Sequence, residues 1–231
     1  RGSVEQGYIL MVPLIAAYLV FVRRSRLRGD RGRWGAFIGP LIVCASFGAA
    51  IVGHDRDVLA LWHAAPVIAF VGLVVATVGL RRTTLILPGL FILFAVIPLP
   101  GVVRHYLAQP LQGFATSVTA FMLELFGVPA IKTGNLIEIN GFPVAVGEAC
   151  NGMRLVMPLA IVMYAFVFSL PLRTGTRMLL LVLCLPVALL CNVIRLVPTA
   201  LAYGYFPSQA EMVHEIGGWV MIPLAIGILV G

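Results

Sequence analysis

Apolar segments of membrane-spanning length are the feature that most constrains how this chain folds. A helix that crosses the hydrocarbon core of a bilayer needs about 20 apolar residues. Segments close to this length lie near 8–22, 34–53, 58–80, 83–99, 151–171, 177–201 and 215–230. Only 11% of the residues are charged, whereas a soluble domain carries about 25%. We therefore predict an all-α polytopic membrane protein with about seven or eight transmembrane helices.

The charged residues indicate how the chain is oriented. The formal net charge is +7, and the basic residues lie in short loops that the positive-inside rule makes cytoplasmic. These residues are Arg23, Arg24, Arg26, Arg28, Arg31, Arg33, Arg81, Arg82, Arg173 and Arg177. The loops at 54–57, 98–104 and 203–215 are then external, which means periplasmic for a bacterial inner membrane. No basic patch is interleaved with aromatic residues, so we expect no nucleic-acid partner.

Segment 104–127 is less apolar, and the topology limits its role. The span before it ends outside and the span near 151 begins outside, so this segment either does not cross or crosses and returns. Its pattern is that of an external amphipathic helix, at the interface or along a polar pocket. The alternative is a weakly apolar spanning helix whose polar face packs on its neighbours. The apolar face is Leu107, Leu111, Phe114, Val118, Phe121 and Leu125; the polar face is His105, Gln109, Gln112, Thr116 and Thr119.

A short external β-hairpin is predicted between this helix and Cys150. Asn140-Gly141 favours a tight turn because both residues tolerate positive φ, and alternating segments at 136–139 and 142–146 flank it. We expect one membrane domain, 1–231. Its parts are a four-span region at 1–100, the helix and hairpin at 104–149, and a three-span region at 150–231.

Cys150 differs from the other three cysteines, Cys44, Cys184 and Cys191, which lie inside apolar runs. It stands where the predicted strand gives way to a helix at the external face. Asn151 is a suitable helix cap, and a helix N-terminus stabilises a thiolate. Arg154, at i+4, adds positive charge on the same face. The alternative is an inert structural cysteine.

Arg195 lies toward the external end of the apolar run 177–201. A charge within a span is costly and usually faces a polar interior or a functional site. Asn192, three residues earlier, shares its helical face. The alternative is an arginine whose side chain extends to the lipid headgroups.

His214 precedes the last span, at the level expected for Cys150 and Arg195, and imidazole titrates near neutral pH. Glu211 and Glu215 flank it, and either could orient the ring; the alternative is an ordinary solvated histidine. Cysteine and histidine form the minimal nucleophile–base pair for acyl transfer, and an arginine can stabilise the developing oxyanion.

Metal-dependent chemistry is not favoured. His54, His63, Asp55 and Asp57 lack the helical i, i+4 pairing of metal ligands, no HExxH motif occurs, and no CxxC pair indicates zinc. We expect neither a metal nor another cofactor.

Three motifs carry a resemblance to a known family. GEACNGMR around Cys150, NVIR around Arg195 and VHEIGGW around His214, in that order, resemble the exosortase/archaeosortase family of membrane cysteine transpeptidases. The resemblance covers about the C-terminal half. The family usually has serine after the cysteine, where this chain has Asn151, a change that keeps a capping residue outside the proposed triad.

The resemblance implies a substrate and a mechanism. The expected partners are exported proteins with a C-terminal sorting signal, which is a Pro-Glu-Pro-like motif, a single span and a basic tail. Cleavage and transfer to an unknown acceptor would occur at the outer face of the cytoplasmic membrane, in step with exopolysaccharide export. Cys150, Arg195 and His214 are the expected catalytic residues. Arg154, Asn192, Glu148 and Asn151 would surround them and contact the substrate.

One other class of function is open. The chain could be a non-enzymatic membrane component of a polysaccharide-export or transport system. That interpretation requires Cys150 to be dispensable and favours a polar path through several spans. The intramembrane charges lie toward one side instead.

Overall fold

The computed structural model describes residues 9–27, 33–98, 100–145 and 153–230. It divides into two compact units. The first comprises Arg1–Gly101 with Phe168–Pro171, and the second comprises Val102–Val167 with Leu172–Gly231. The prediction of a single membrane domain stays a prediction.

Five helices form the first unit, with short 3-10 turns at Arg24–Leu27 and Ile92–Val96. The helices are α1 (Met11–Val22), α2 (Gly35–Asp55), α3 (Leu59–Val78), α4 (Leu80–Leu85) and α5 (Leu87–Phe91). The segment predicted to span near 83–99 is not one helix, because the chain there is broken into α4, α5 and a 3-10 turn, and its crossing of the membrane stays a prediction. Gly79, with φ of 92°, ends α3, and Pro88 in the first turn of α5 has no N–H with which to continue α4.

The contact between α2 and α3 has the character of a membrane interface. A Cβ atom added at Gly39 would lie 2.5 Å from the Ala76 Cβ, and one added at Gly72 would lie 3.0 Å from the Gly39 carbonyl oxygen. Small residues thus let the two backbones approach closely, as in membrane helix pairs. Large side chains such as Phe37 and Phe47 face outward instead. This apolar exterior is the correct surface for lipid.

The second unit contains nearly all of α6 (Gly101–Leu125) and α7 (Met153–Ser169), together with α8 (Thr174–Tyr205) and α9 (Pro207–Val230). Within the described residues, four helices are long and apolar enough to cross a membrane, namely α2, α3, α8 and α9. A fifth span results if 87–96 and 101–125 are counted as one interrupted span. The helices support a multi-pass membrane protein, while the count of seven or eight spans stays a prediction.

Helix α6 has the two faces that its sequence predicts, but the polar face is the buried one in its C-terminal half. Thr116 and Thr119 are fully buried, whereas Phe114 and Phe121 are exposed. The Thr116 hydroxyl donates to the Gln112 carbonyl oxygen at 2.7 Å. This distribution favours the alternative of a helix that packs its polar face on its neighbours and turns its apolar face to lipid.

Three antiparallel strands follow α6: β1 (Ala130–Thr133), β2 (Leu136–Ile139) and β3 (Phe142–Ala145), in the order β1-β2-β3. Ile139 pairs with Phe142 across Asn140-Gly141. The φ values of 52° and 78° at these two positions confirm the predicted tight turn. Strand β1 was not predicted. Thr133 pairs with Leu136 across a second two-residue turn, in which Gly134 has φ of 62°.

The sheet packs in one apolar cluster with α6 and α8. Ile137 and Ile139 are fully buried members of this cluster, which also includes Leu123 of α6 and Leu196 and Ala200 of α8. The same strands therefore contact the part of α8 that follows Arg195.

Candidate active site

Arg195 and Asn192 form a buried polar pair on α8. Their side chains are 9% and 1% exposed, and Arg195 Nη2 donates to Asn192 Oδ1 at 3.1 Å. The Thr199 hydroxyl donates to the Arg195 carbonyl oxygen at 2.8 Å. This burial does not fit the alternative of an arginine extending to the headgroups. A buried guanidinium held by a neighbouring amide can bind an anionic or carbonyl oxygen.

The position of Arg195 along α8 is informative. Helix α8 has 32 residues, more than a hydrocarbon core requires. At about 1.5 Å per residue, Arg195 lies about 32 Å along the axis from Thr174. A helix that enters the membrane at its first turn would therefore carry Arg195 at the opposite boundary of a core about 30 Å thick.

His214 lies in a continuous helix, so the loop predicted over 203–215 is wrong, while the external position of this segment stays a prediction. Helix α8 ends at Tyr205 and α9 begins at Pro207, so only Phe206 separates them. Proline favours the first turn of a helix, where its missing N–H costs nothing. His214 is half-buried, whereas Glu211 and Glu215 are exposed.

Two glycines bring α9 against Arg195. A Cβ atom added at Gly217 would lie 2.8 Å from Arg195 Cγ, and one added at Gly218 would lie 3.7 Å from Arg195 Nη1. His214 precedes these glycines by three and four residues, which places it on the same side of α9. The structure therefore brings Arg195 and the helical face that carries His214 together.

Several predicted site residues lie outside the described residues: Glu148, Cys150 and Asn151. Arg154 is in the first turn of α7, and its side chain is not described. In the chain, Cys150 stands between β3, which ends at Ala145, and α7, which begins at Met153. Three residues reach no more than about 11 Å, which limits how far Cys150 lies from Met153.

The sheet packs on the part of α8 that follows Arg195. Ile137 and Ile139 of β2 share one buried apolar cluster with Leu196 and Ala200 of α8, and β3 pairs with β2 along its length.

A separate apolar groove of about 480 Å³ lies between α6 and α8. Its lining includes Phe114, Met122, Leu190 and Val197. Leu190 and Val197 lie about 140–160° around α8 from Arg195, so this part of the lining is on the opposite side of the helix. The groove is therefore distinct from the polar pair.

Residues with metal-ligand side chains do not converge in the described part of the chain. No group of three or more histidines, cysteines or carboxylates there could hold a metal ion. His54 packs on Trp62, with ring centroids 5.3 Å apart.

Comparison with protein families adds the decisive observation. Residues 2–231 match the family model described as Transmembrane exosortase (Exosortase_EpsH). The chain belongs to the transmembrane exosortase family. No curated protein and no solved structure matches it.

In this exosortase, the sequence analysis missed the contribution of α9 to the surroundings of Arg195. The signal was the Gly217-Gly218 pair one turn after His214. Paired glycines in an apolar helix often mark a close approach between backbones. The partner of that approach was not predictable, because the packing of α8 on α9 is a tertiary contact.

Proposed function

We propose that this exosortase is a membrane cysteine transpeptidase whose nucleophile is Cys150. The observation that carries the proposal is the buried Arg195–Asn192 pair, packed against the α9 face that bears His214. Burying a guanidinium in a membrane protein is costly. A positive group held at that cost suits the stabilisation of a developing oxyanion.

In the first step the Cys150 thiolate attacks a peptide carbonyl carbon of the substrate. The new S–C bond gives a tetrahedral intermediate whose oxyanion Arg195 stabilises. The C–N bond then breaks, His214 donates a proton to the leaving amine, and a thioester remains on Cys150.

In the second step an acceptor nucleophile attacks the thioester. His214, now neutral, removes the proton of the acceptor, and the Cys150 thiolate leaves as the new acyl bond forms. Arg154 and the helix N-terminus near Asn151 would lower the energy of this thiolate. Asn192 holds Arg195 in place, and Glu148 and Asn151 contact the substrate.

The proposed substrates are exported proteins with a Pro-Glu-Pro-like motif, a single span and a basic tail. Such a protein spans the same membrane and presents its cleavage site at the outer face. We propose that the site faces the periplasm from the cytoplasmic membrane. The length of α8 from Thr174 to Arg195, about one hydrocarbon thickness, supports this depth.

The test is processing of a sorting-signal substrate by Cys150→Ala, Arg195→Ala and His214→Ala proteins in membranes. We expect no processing by the Cys150→Ala protein. Cys44→Ala is the matched control, because Cys44 is an exposed cysteine of α2 and should be dispensable. Processing that continues after Cys150→Ala would exclude Cys150 as the nucleophile.

A trapped intermediate would test the chemistry directly. Substrate is mixed with the wild-type protein without an added acceptor, the reaction is stopped with acid, and the protein is analysed by mass spectrometry, because His214 is needed to form the thioester as well as to release it. We expect an acyl adduct on Cys150 that hydroxylamine removes. An adduct on any other residue would contradict the mechanism.

A further inference from the structure

We infer that Gly217 is a positioning residue that sets the conformation of the Arg195 side chain. The inference rests on the proposed function for its catalytic consequence. The contact itself is independent of any activity.

The evidence is how little space separates α9 from Arg195. A Cβ atom built at Gly217 would approach Arg195 Cγ to 2.8 Å and Cδ to 3.5 Å. Real Cβ atoms do not approach other atoms closer than 3.0 Å, so a methyl group at position 217 requires Arg195 or the helix to move. At Gly218 the distance to Arg195 Nη1 is 3.7 Å, an ordinary contact.

The atom that meets this methyl group decides the consequence. Cγ lies in the stem of the arginine, between the α8 backbone and the guanidinium, and cannot move without rotating the bonds next to the backbone. Such a rotation moves the guanidinium away from Asn192 Oδ1, which it reaches at 3.1 Å. The other response is a wider separation of α8 from α9, which moves His214 away from Arg195.

Either response changes the position of the Arg195 guanidinium relative to His214. Gly217 lies one turn from His214, so the absence of its side chain sets the spacing between the proposed oxyanion group and the proposed base. We assign no direct contact with the substrate to Gly217. Its effect passes through Arg195.

The contact is tested by a double-mutant cycle on thermal stability in detergent, using Gly217→Ala, Arg195→Ala and the double variant. Alanine is the better helix former, so Gly217→Ala should be stabilising unless it clashes. We expect its Tm to fall by several degrees in the wild-type background. In the Arg195→Ala background, where Cγ is absent, we expect this fall to disappear.

Gly227→Ala is the matched control, because Gly227 lies in the same helix and an added Cβ meets nothing within 4 Å. Its Tm should stay level or rise in both backgrounds. If Gly217→Ala does not fold, recovery of folding in the double variant supports the inference, and failure to recover overturns it. A fall in Tm that persists without the Arg195 stem also overturns it.

Kinetics of substrate processing test the catalytic consequence. We expect Gly217→Ala to lower kcat at least about tenfold, because a misplacement of 1 Å can cost about 100-fold. KM should change little, since the interaction lost belongs to the transition state. Gly227→Ala should retain the wild-type kcat. A wild-type kcat for Gly217→Ala would overturn the positioning role.

The two proposals fail in distinguishable ways. Processing by the Cys150→Ala protein would contradict the proposed function. The double-mutant cycle on stability would still measure the contact between Gly217 and Arg195. Loss of processing with Cys150→Ala, together with no coupling between Gly217 and Arg195, would support the proposed function and contradict the positioning role of Gly217.

Discussion

Arg195 reaches back one turn along α8 to donate to Asn192 Oδ1 across 3.1 Å. Asn192 is almost completely buried, so this bond forms out of contact with solvent. A hydrogen bond to a charged group contributes more than one between neutral groups. The pair therefore fixes where the guanidinium points as well as stabilising its charge.

Replacing Asn192 by leucine should weaken both the orientation of the Arg195 guanidinium and the stabilisation of its charge. Leucine has a similar volume but no acceptor, so we expect the free energy of unfolding to fall by about 2 kcal/mol and processing to slow. Asn192→Asp is the matched variant, because it keeps an oxygen at the same branch point. We expect Asn192→Asp to retain more activity than Asn192→Leu, measured by initial processing rates. Equal activities would mean that the bond does not position Arg195.

Substitution of His214 should affect the processing rate far more than substitution of the neighbouring Glu215. His214→Ala should lower the processing rate at least about 100-fold, the usual contribution of general acid–base catalysis. Glu215 is exposed and one residue further along α9, which points it about 100° away. We expect Glu215→Gln to process at near the wild-type rate. A comparable loss in both variants would indicate a disturbed helix rather than a lost base.

Gly204 should be required for the sheet to pack on α8. A Cβ atom added there would meet the Ile139 side chain at 2.5 Å, and Ile139 is fully buried. We expect Gly204→Ala to destabilise the protein by about 1–3 kcal/mol, as overpacking does. Gly175→Ala, in the same helix with nothing within 4 Å of the added atom, is the control. Chemical denaturation in detergent measures both, and equal stabilities would contradict this packing.

Thr119 and Thr116 should respond differently to removal of their hydroxyl groups. Thr119 Oγ1 is buried and has no hydrogen-bond partner among the described residues, whereas Thr116 donates to the Gln112 carbonyl oxygen. A buried hydroxyl without a partner is destabilising. Thr119→Val should therefore raise stability by about 1 kcal/mol, and Thr116→Val should not. Thermal unfolding of the two variants tests this, and a loss of stability on Thr119→Val would show that its hydroxyl has a partner.

Much of the architecture follows from local pattern. The helices α2, α3 and α8 lie where apolar runs of spanning length occur, because a lipid environment leaves backbone polar groups no partner outside the helix. Asn140-Gly141 predicted a turn for a similarly local reason. The interruption of 83–99 was predictable in principle, since Pro88 is a local signal that a hydropathy average does not register.

Part of the candidate site also follows from local sequence pattern. Spacing alone places Asn192 and Arg195 on one face of a helix, since three residues make nearly one turn. The residue types at positions 150, 195 and 214 indicate acyl-transfer chemistry, and the family match covers all three. The roles of these residues stay predictions.

What the sequence by itself determined is a chain that inserts in membranes and carries an exosortase signature, because hydropathy and motifs are properties of neighbouring residues. Only the tertiary structure decided that α6 buries its threonines, that the sheet packs beyond Arg195, and that Gly217 contacts the Arg195 stem. Each of these depends on the distance between two backbones that are far apart in the chain. Such distances result from the packing of whole faces, and no single segment encodes them.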